Sequence, residues 1–192
     1  LIAGRMTETN KVGFIGGMES PVISKFDYGF RAGVKAANPD AEVMVQYANS
    51  FTDSALGKTI ANQMHSKNAD IIFTCAGAVG IGAIEAAKEN GKKAIGVDQD
   101  QNALAPKNVI TSAMKNIDVA VVELLSKVVD GSYKGGEVII NTLAMNGVGI
   151  PQSSEKNVPP DVLTYVKEEA EKVKSGEVKV PATKEEFEQL NK

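Results

Sequence analysis

"ADIIFTCAGAVGIGAIEAAKENGKKAIGVDQDQ", residues 69–101, decides the fold. An apolar run, "DIIFTCAG", leads through a glycine-rich turn into "GAIEAAKENG", a segment of helical period that stops at Gly91, and a second apolar run, "KKAIGVDQ", follows. Strand, helix and strand in that order predict a parallel βαβ unit. The second strand ends in two aspartates and two glutamines, Asp98 to Gln101, which is a heavy polar load for a strand end. Such an ending asks what meets Asp98 and Asp100.

Working outward, the same alternation continues on both sides. "KVGFIGG" predicts a strand ending in glycines, and the helix "SPVISKFDYGFRAGVKAANP" starts at Ser20-Pro21 and stops at Asn38-Pro39. "AEVMVQYA" is the next strand, "NSFTD" its loop, and residues 54–68 the next helix. After the opening unit, "NVITSA" is a fifth strand and residues 116–130 an amphipathic helix closed by Asp130-Gly131. The expected fold class is α/β with a doubly wound parallel sheet. Beyond Gly131, "EVIINTLA" reads as a strand, "GVGIPQ" as a loop, "PPDVLTYVKEEAEKVKSG" as a charged helix and "VPATKEEFEQLNK" as a polar tail. Residues 1–11 read as the end of a helix and a turn.

Composition removes several function classes. A formal charge of -3 with dispersed basic residues leaves no electrostatic footprint for nucleic acid. No apolar run approaches the roughly 18 residues of a membrane-spanning helix, and no signal peptide is visible. Cys75 is the only cysteine and His65 the only histidine, so an intrachain disulfide is impossible, and neither metal binding nor Ser-His catalysis is expected. The phosphate loop of ATPases is missing as well. No catalytic residue, metal or cofactor is expected.

In an open parallel sheet, ligands bind outside the carboxyl ends of the strands. Gly16, Gly17, Met18 and Glu19 follow the first strand, and Asn49, Ser50 and Phe51 the second. Gly77 and Gly80 follow the third, Asp98 and Asp100 the fourth, and Thr111, Ser112 and Lys115 the fifth. An aromatic face, carboxylates, a cation and approachable backbone suit a polar ring compound bearing hydroxyls. Each residue also has a plainer reading. Phe51 is equally a core plug, Asp98 a cap for the next segment, Lys115 a solvated residue at a helix start, and Gly80 and Gly82 packing glycines. "GAVGIG" loosely suggests a dinucleotide site, but its glycines at 77, 80 and 82 have the wrong spacing for an oxidoreductase. The effector lobe of a transcriptional regulator shares the expected fold.

The stretches "KVGFIGGMESPVISKFDYGFRAG", "VQYANSFTDSALGK", "VITSAMKNIDVAV" and residues 69–101 resemble the basic membrane protein family of ABC-transporter solute-binding lipoproteins, whose members include purine nucleoside receptors. The resemblance covers almost the whole chain, including "GVGIPQ" and the charged helix after it. It implies a type I periplasmic-binding fold that closes on a nucleoside between two lobes, delivery to an ABC permease, and lipid anchoring at the cell surface or in the periplasm. Family members carry an N-terminal lobe with a lipoprotein signal, and neither is seen in this chain. The expected division is therefore a C-terminal ligand-binding lobe at 1–112, a hinge-crossing helix at 113–135 that belongs with the absent lobe, and a returning strand, helix and polar tail at 136–192. By position, the resemblance implies that Phe51 stacks on the ring, Asp98 holds ribose hydroxyls, and Lys115 is a polar group near the hinge. Gly77 belongs to the same ligand-facing rim, and Phe26 in "ISKFDYGF" is a further candidate, equally explicable as packing.

Overall fold

In a computed structural model that describes residues 1–190, strands β1 (Lys11–Gly16), β2 (Glu42–Tyr47), β3 (Ile71–Cys75), β4 (Lys93–Asp98) and β5 (Val109–Lys115) run parallel. A short β6 (Val148–Gly149) pairs antiparallel with β5, and the sheet order is β2-β1-β3-β4-β5-β6. The strand order reverses between β1 and β3. That reversal defines the switch point of a doubly wound sheet.

Alternation along the strands supplies two cores, because neighbouring residues point to opposite faces. Phe14 and Phe73 enter one core with Ile95 and Ile110, covered by α1 (Ile2–Met6), α2 (Pro21–Ala37) and α6 (Pro160–Ser175). Ile15 and Ile72 enter the other, under α3 (Ser54–Ser66) and α4 (Ala78–Glu89). Residues 12–16 of β1 and the whole of β3 are buried, as a sheet with two covered faces requires. Each of these large side chains stabilises the fold by about 1.5–3 kcal/mol relative to exposure.

Local chemistry sets the helix ends. The Ser20 hydroxyl accepts from the Ile23 amide with Pro21 at the first helical position, and the Asp53 carboxylate accepts from the Leu56 amide at 2.9 Å. Helix α4 begins at Ala78 rather than at Gly82, so the expected glycine-rich turn is its first turn. Gly80 faces Thr74 of β3, while a Cβ on Gly82 would lie 1.8 Å from the Ser54 carbonyl oxygen. The first glycine serves helix-to-strand packing and the second brings α4 onto α3.

After β5 the chain departs from several expectations. Helix α5 (Ile117–Val129) forms where expected, yet none of its residues is buried. Residues 137–144 form no strand, since no sheet edge lies beside them to accept their backbone bonds. "GVGIPQ", read as a loop, contains β6. The supposed polar tail folds as α7 (Lys184–Leu190), whose Phe187 stacks on Tyr28 of α2 at 5.7 Å under the Arg31 guanidinium, 4.2 Å from the ring centroid. Residues 191–192 lie outside the described residues.

Helix α2 also buries a carboxylate. Asp27 is 4% exposed, accepts one bond from the Tyr47 hydroxyl at 3.1 Å, and leaves Oδ1 without a hydrogen-bond partner. Burial raises its pKa above the usual value, against the opposing pull of Arg31 and Tyr47 and with a further push from Glu19. A raised folded pKa means that the native state holds more protons than the unfolded chain. Stability contributed by this site is therefore greatest below the ordinary value of 3.8 and is lost as pH rises from there through the raised folded value. Asp27→Asn removes that slope. Urea denaturation of both proteins from acid to neutral pH should show the variant gaining on the wild type across that window; a difference independent of pH would show that Asp27 ionises normally.

Candidate functional site

The carboxyl ends of β1, β3, β4 and β5 form one rim, and the glycines at its centre let the backbone come close. Gly17 donates to the Cys75 carbonyl at 3.0 Å, and Ala48 and Asn49 donate to the carbonyls of Gly16 and Gly17, each at 2.9 Å. These bonds tie the ends of β1, β2 and β3 together beyond the ladder itself. A side chain at Gly17 would have to push the Phe51 ring aside, because a Cβ there would lie 2.1 Å from one of its carbons.

Phe51 is thereby placed by its neighbours. Its ring rests on Gly17, its carbonyl accepts from Ala78 at 2.8 Å, and a Cβ on Gly77 would lie 2.8 Å from that oxygen. Gly77 takes φ +57°, a left-handed conformation in which glycine has no steric penalty. The loop before Phe51's helix is drawn in by Ser50, whose hydroxyl accepts from the amides of Thr52 and Asp53. Phe51 nevertheless stays 39% exposed. It sits at the switch point as an accessible flat face, so the plug reading describes only part of its surface.

Two strands away stands a charged pair. Lys115 Nζ lies 2.9 Å from Asp98 Oδ1, with the two side chains 38% and 56% exposed. The same ammonium lies 5.0 Å from the centroid of the Phe26 ring, so three of the expected residues meet at one point. Asp98 holds φ +66°, a region that few non-glycine residues occupy and that aspartate tolerates better than most. With strands about 4.8 Å apart, the ends of β4 and β5 lie two strand spacings, about 10 Å, across the sheet from those of β1 and β3, where the Phe51 ring rests on Gly17.

The rest of "DQDQ" is structural. The Asp100 carboxylate accepts from the Asn102 backbone amide at 3.0 Å in a local turn, and the Gln101 side chain turns back so that its Oε1 accepts from the Val97 amide at 2.9 Å while the Gln101 backbone amide donates to the Ser112 hydroxyl at 3.1 Å. These bonds hold the turn that lifts Asp98 into its left-handed conformation. Thr111 and Ser112, expected on the rim, are buried within β5, because the strand continues to Lys115; Thr111 pairs with Ser154 at 2.8 Å. Gly80 also lies away from the rim, inside α4.

Neither Cys75 nor His65 is exposed at the rim. Cys75 lies below it, and burial, reinforced by the Asp98 charge and opposed by Lys115, pushes its thiol up to about 12, leaving it un-ionised at neutral pH. His65 is buried away from the rim, its Nδ1 on the Ala69 carbonyl at 2.8 Å, and burial lowers its pKa. Among the described residues no cluster of potential ligands could hold a metal ion, and no helix is long and apolar enough to cross a membrane. What the rim offers is a flat ring at one end and, at the other, an acceptor and a donor held together.

Known proteins share this arrangement of elements. Residues 1–184 match the family described as ABC transporter substrate-binding protein PnrA-like. Basic membrane protein B of Borreliella burgdorferi is 40% identical over 191 residues, 97% of this chain and 54% of its own length. The CD4+ T-cell-stimulating antigen of Listeria monocytogenes is 41% identical over 197 residues, 94% of this chain and 55% of its own length. An ABC transporter system solute-binding protein from Aeropyrum pernix K1 superposes with a TM-score of 0.84 at 26% identity, covering 99% of this chain and 65% of that one. This chain spans about half the length of the curated relatives that it matches. With the family match, the relatives and the fold in agreement, the chain belongs to the PnrA-like family of ABC transporter substrate-binding proteins.

Proposed function

We propose that the protein binds a purine nucleoside between two lobes and presents it to an ABC permease, as a lipid-anchored receptor on the outer face of the bacterial membrane. The observation that carries the reading is the spacing of unlike groups on one rim. Phe51 offers a flat apolar face at the switch point, and the Asp98–Lys115 pair stands about 10 Å away. A purine stacks on the ring while its ribose hydroxyls reach the pair. Asp98 accepts from the hydroxyls, Lys115 donates to them, and the exposed backbone around Gly77 leaves room for the base. Binding without chemistry then works by population shift, because ligand contacts made by both lobes favour the closed form. The family is one of substrate-binding proteins, and Gly80 and Gly82 are filled by Thr74 and Ser54, which removes support from the dinucleotide alternative.

The second lobe is proposed from the chain path. At Lys115–Asn116 the chain leaves the sheet, and it returns at Gly147–Val148; Lys115 pairs with Val148, and Asn116 donates to the Gly147 carbonyl at 2.9 Å. Between these adjacent crossings, Val122, Leu125 and Val129 of α5 are 63%, 56% and 88% exposed, and Val138 and Ile140 after it are 89% and 69% exposed. So much apolar surface in one excursion marks a contact surface. We assign residues 117–146 to the second lobe, which moves the start of that segment from the expected 113 to 117, because β5 runs to Lys115, and its end from 135 to 146.

Three measurements test the reading. Asp98→Ala should cost a purine nucleoside about 1.5–3 kcal/mol in the closed cleft and the free base much less, by calorimetry on the full-length protein; equal losses would remove the ribose assignment. Phe51→Ala should weaken binding while Phe51→Trp largely preserves it, since stacking needs a flat face. If both changes act alike in a binding titration, Phe51 serves the core alone. Finally, the 192-residue chain by itself should self-associate and bind nucleosides poorly beside the full-length protein. Sedimentation showing a monomer that binds at full strength would place a complete site in one lobe.

A further inference from the structure

We propose that Phe26 is a positioning residue of the ligand site, its ring fixing the Lys115 ammonium against Asp98 and acting on ligand only through Lys115. The inference rests on the reading of Asp98 and Lys115 as ligand groups. An exposed Lys–Asp pair is by itself weak, because the long lysine side chain must give up its rotamer freedom to keep one geometry and water competes for both charges. Lys115 has a second contact that the pair alone does not explain. Its Nζ lies over the Phe26 ring at 5.0 Å from the centroid, inside the range where the ring quadrupole attracts a cation, and 2.9 Å from Asp98.

Phe26 can serve as such a platform because it is itself fixed. It lies on α2, whose first turn is capped by Ser20, and packs against the buried aromatic core, 6.2 Å from the Phe73 ring, which in turn lies 5.2 Å from Phe30 and 5.6 Å from Phe14. Sequence offsets alone separate Phe26 and Lys115 by most of the sheet's length in chain. One face of the Phe26 ring carries the Lys115 ammonium, which a stacking ligand would have to displace. Phe26 therefore differs from Phe51, whose exposed face has no charged side chain over it among the described contacts. The two aromatics divide the work: Phe51 meets ligand, and Phe26 orders the cation that meets ligand.

A double-mutant cycle on the full-length protein, read by inosine affinity, separates these roles. Phe26→Leu should weaken inosine about three- to thirty-fold, Phe26→Tyr should retain near wild-type affinity, and Phe26→Leu added to Lys115→Met should cost nothing further. A Phe26→Leu loss that persists in the Lys115→Met background would make Phe26 a packing or ligand-stacking residue and overturn the proposal. A ligand-free arm keeps the proposal testable apart from the choice of ligand. Side-chain NMR relaxation of Lys115, assigned by its disappearance in Lys115→Met, should show greater mobility in Phe26→Leu and wild-type mobility in Phe26→Tyr. Unchanged mobility in Phe26→Leu would refute the positioning role even where inosine binds. If wild-type protein fails to bind inosine, the nucleoside reading falls and the relaxation result alone decides the role of Phe26.

Discussion

The structure depends on one constraint: a parallel sheet has no wet face, so its interior strands must supply apolar groups to both sides in alternation. On β1, Phe14 goes one way and Ile15 the other; on β3, Phe73 and Ile72 do the same, with Phe14 and Phe73 directly paired across the two strands. A slip of one residue in either strand would exchange the contents of the two cores. Because the aromatic set fills one side and small aliphatic residues fill the other, such an exchange could not be packed. Register fixed in this way also fixes where each strand ends, and the strand ends carry the candidate site.

Much of this was legible in the sequence. Apolar runs separated by helical segments identified all five parallel strands, and Ser20-Pro21 and Asn38-Pro39 marked α2 because they act through local chemistry that no distant contact overrides. Phe51, Gly77, Asp98 and Lys115 could be placed at strand ends from the sequence, whereas Phe26, inside α2, was a candidate through the family resemblance alone. Less legible was which of them meet. The approach of Lys115 to Phe26 joins β5 to a helix nearly ninety positions earlier, and only the folded sheet brings the two together. Gln101 was unreadable for a similar reason: its side chain satisfies a backbone amide four residues back, a role that any polar residue could be imagined to have.

Errors after β5 have separate causes. "EVIINTLA" has the composition of a strand, but composition supplies only half of a strand, and the other half is a neighbouring edge. The final segment was misread because its charges suggested solvent. Its "TKEE" carries a capping box, in which the Thr183 hydroxyl accepts from the Glu186 amide and the Glu186 carboxylate accepts from the Ala182 and Thr183 amides, and Phe187 supplies the anchor. The signal was present in the order of the residues and hidden by their average.

The pairing of Lys115 with Val148 has a mechanical meaning. Lys115 belongs to the last step of a strand rooted in the sheet, and the next residue already belongs to the path out. On the proposed reading, the side chain that would grip ligand is mounted on the axle about which the excursion would turn. Torque applied by ligand to Lys115 would then pass into the crossing strands without an intervening loop to absorb it. Sensing of cargo and angle of the lobes would become one coordinate, so that a softer strand at this place would loosen the grip and the gearing together.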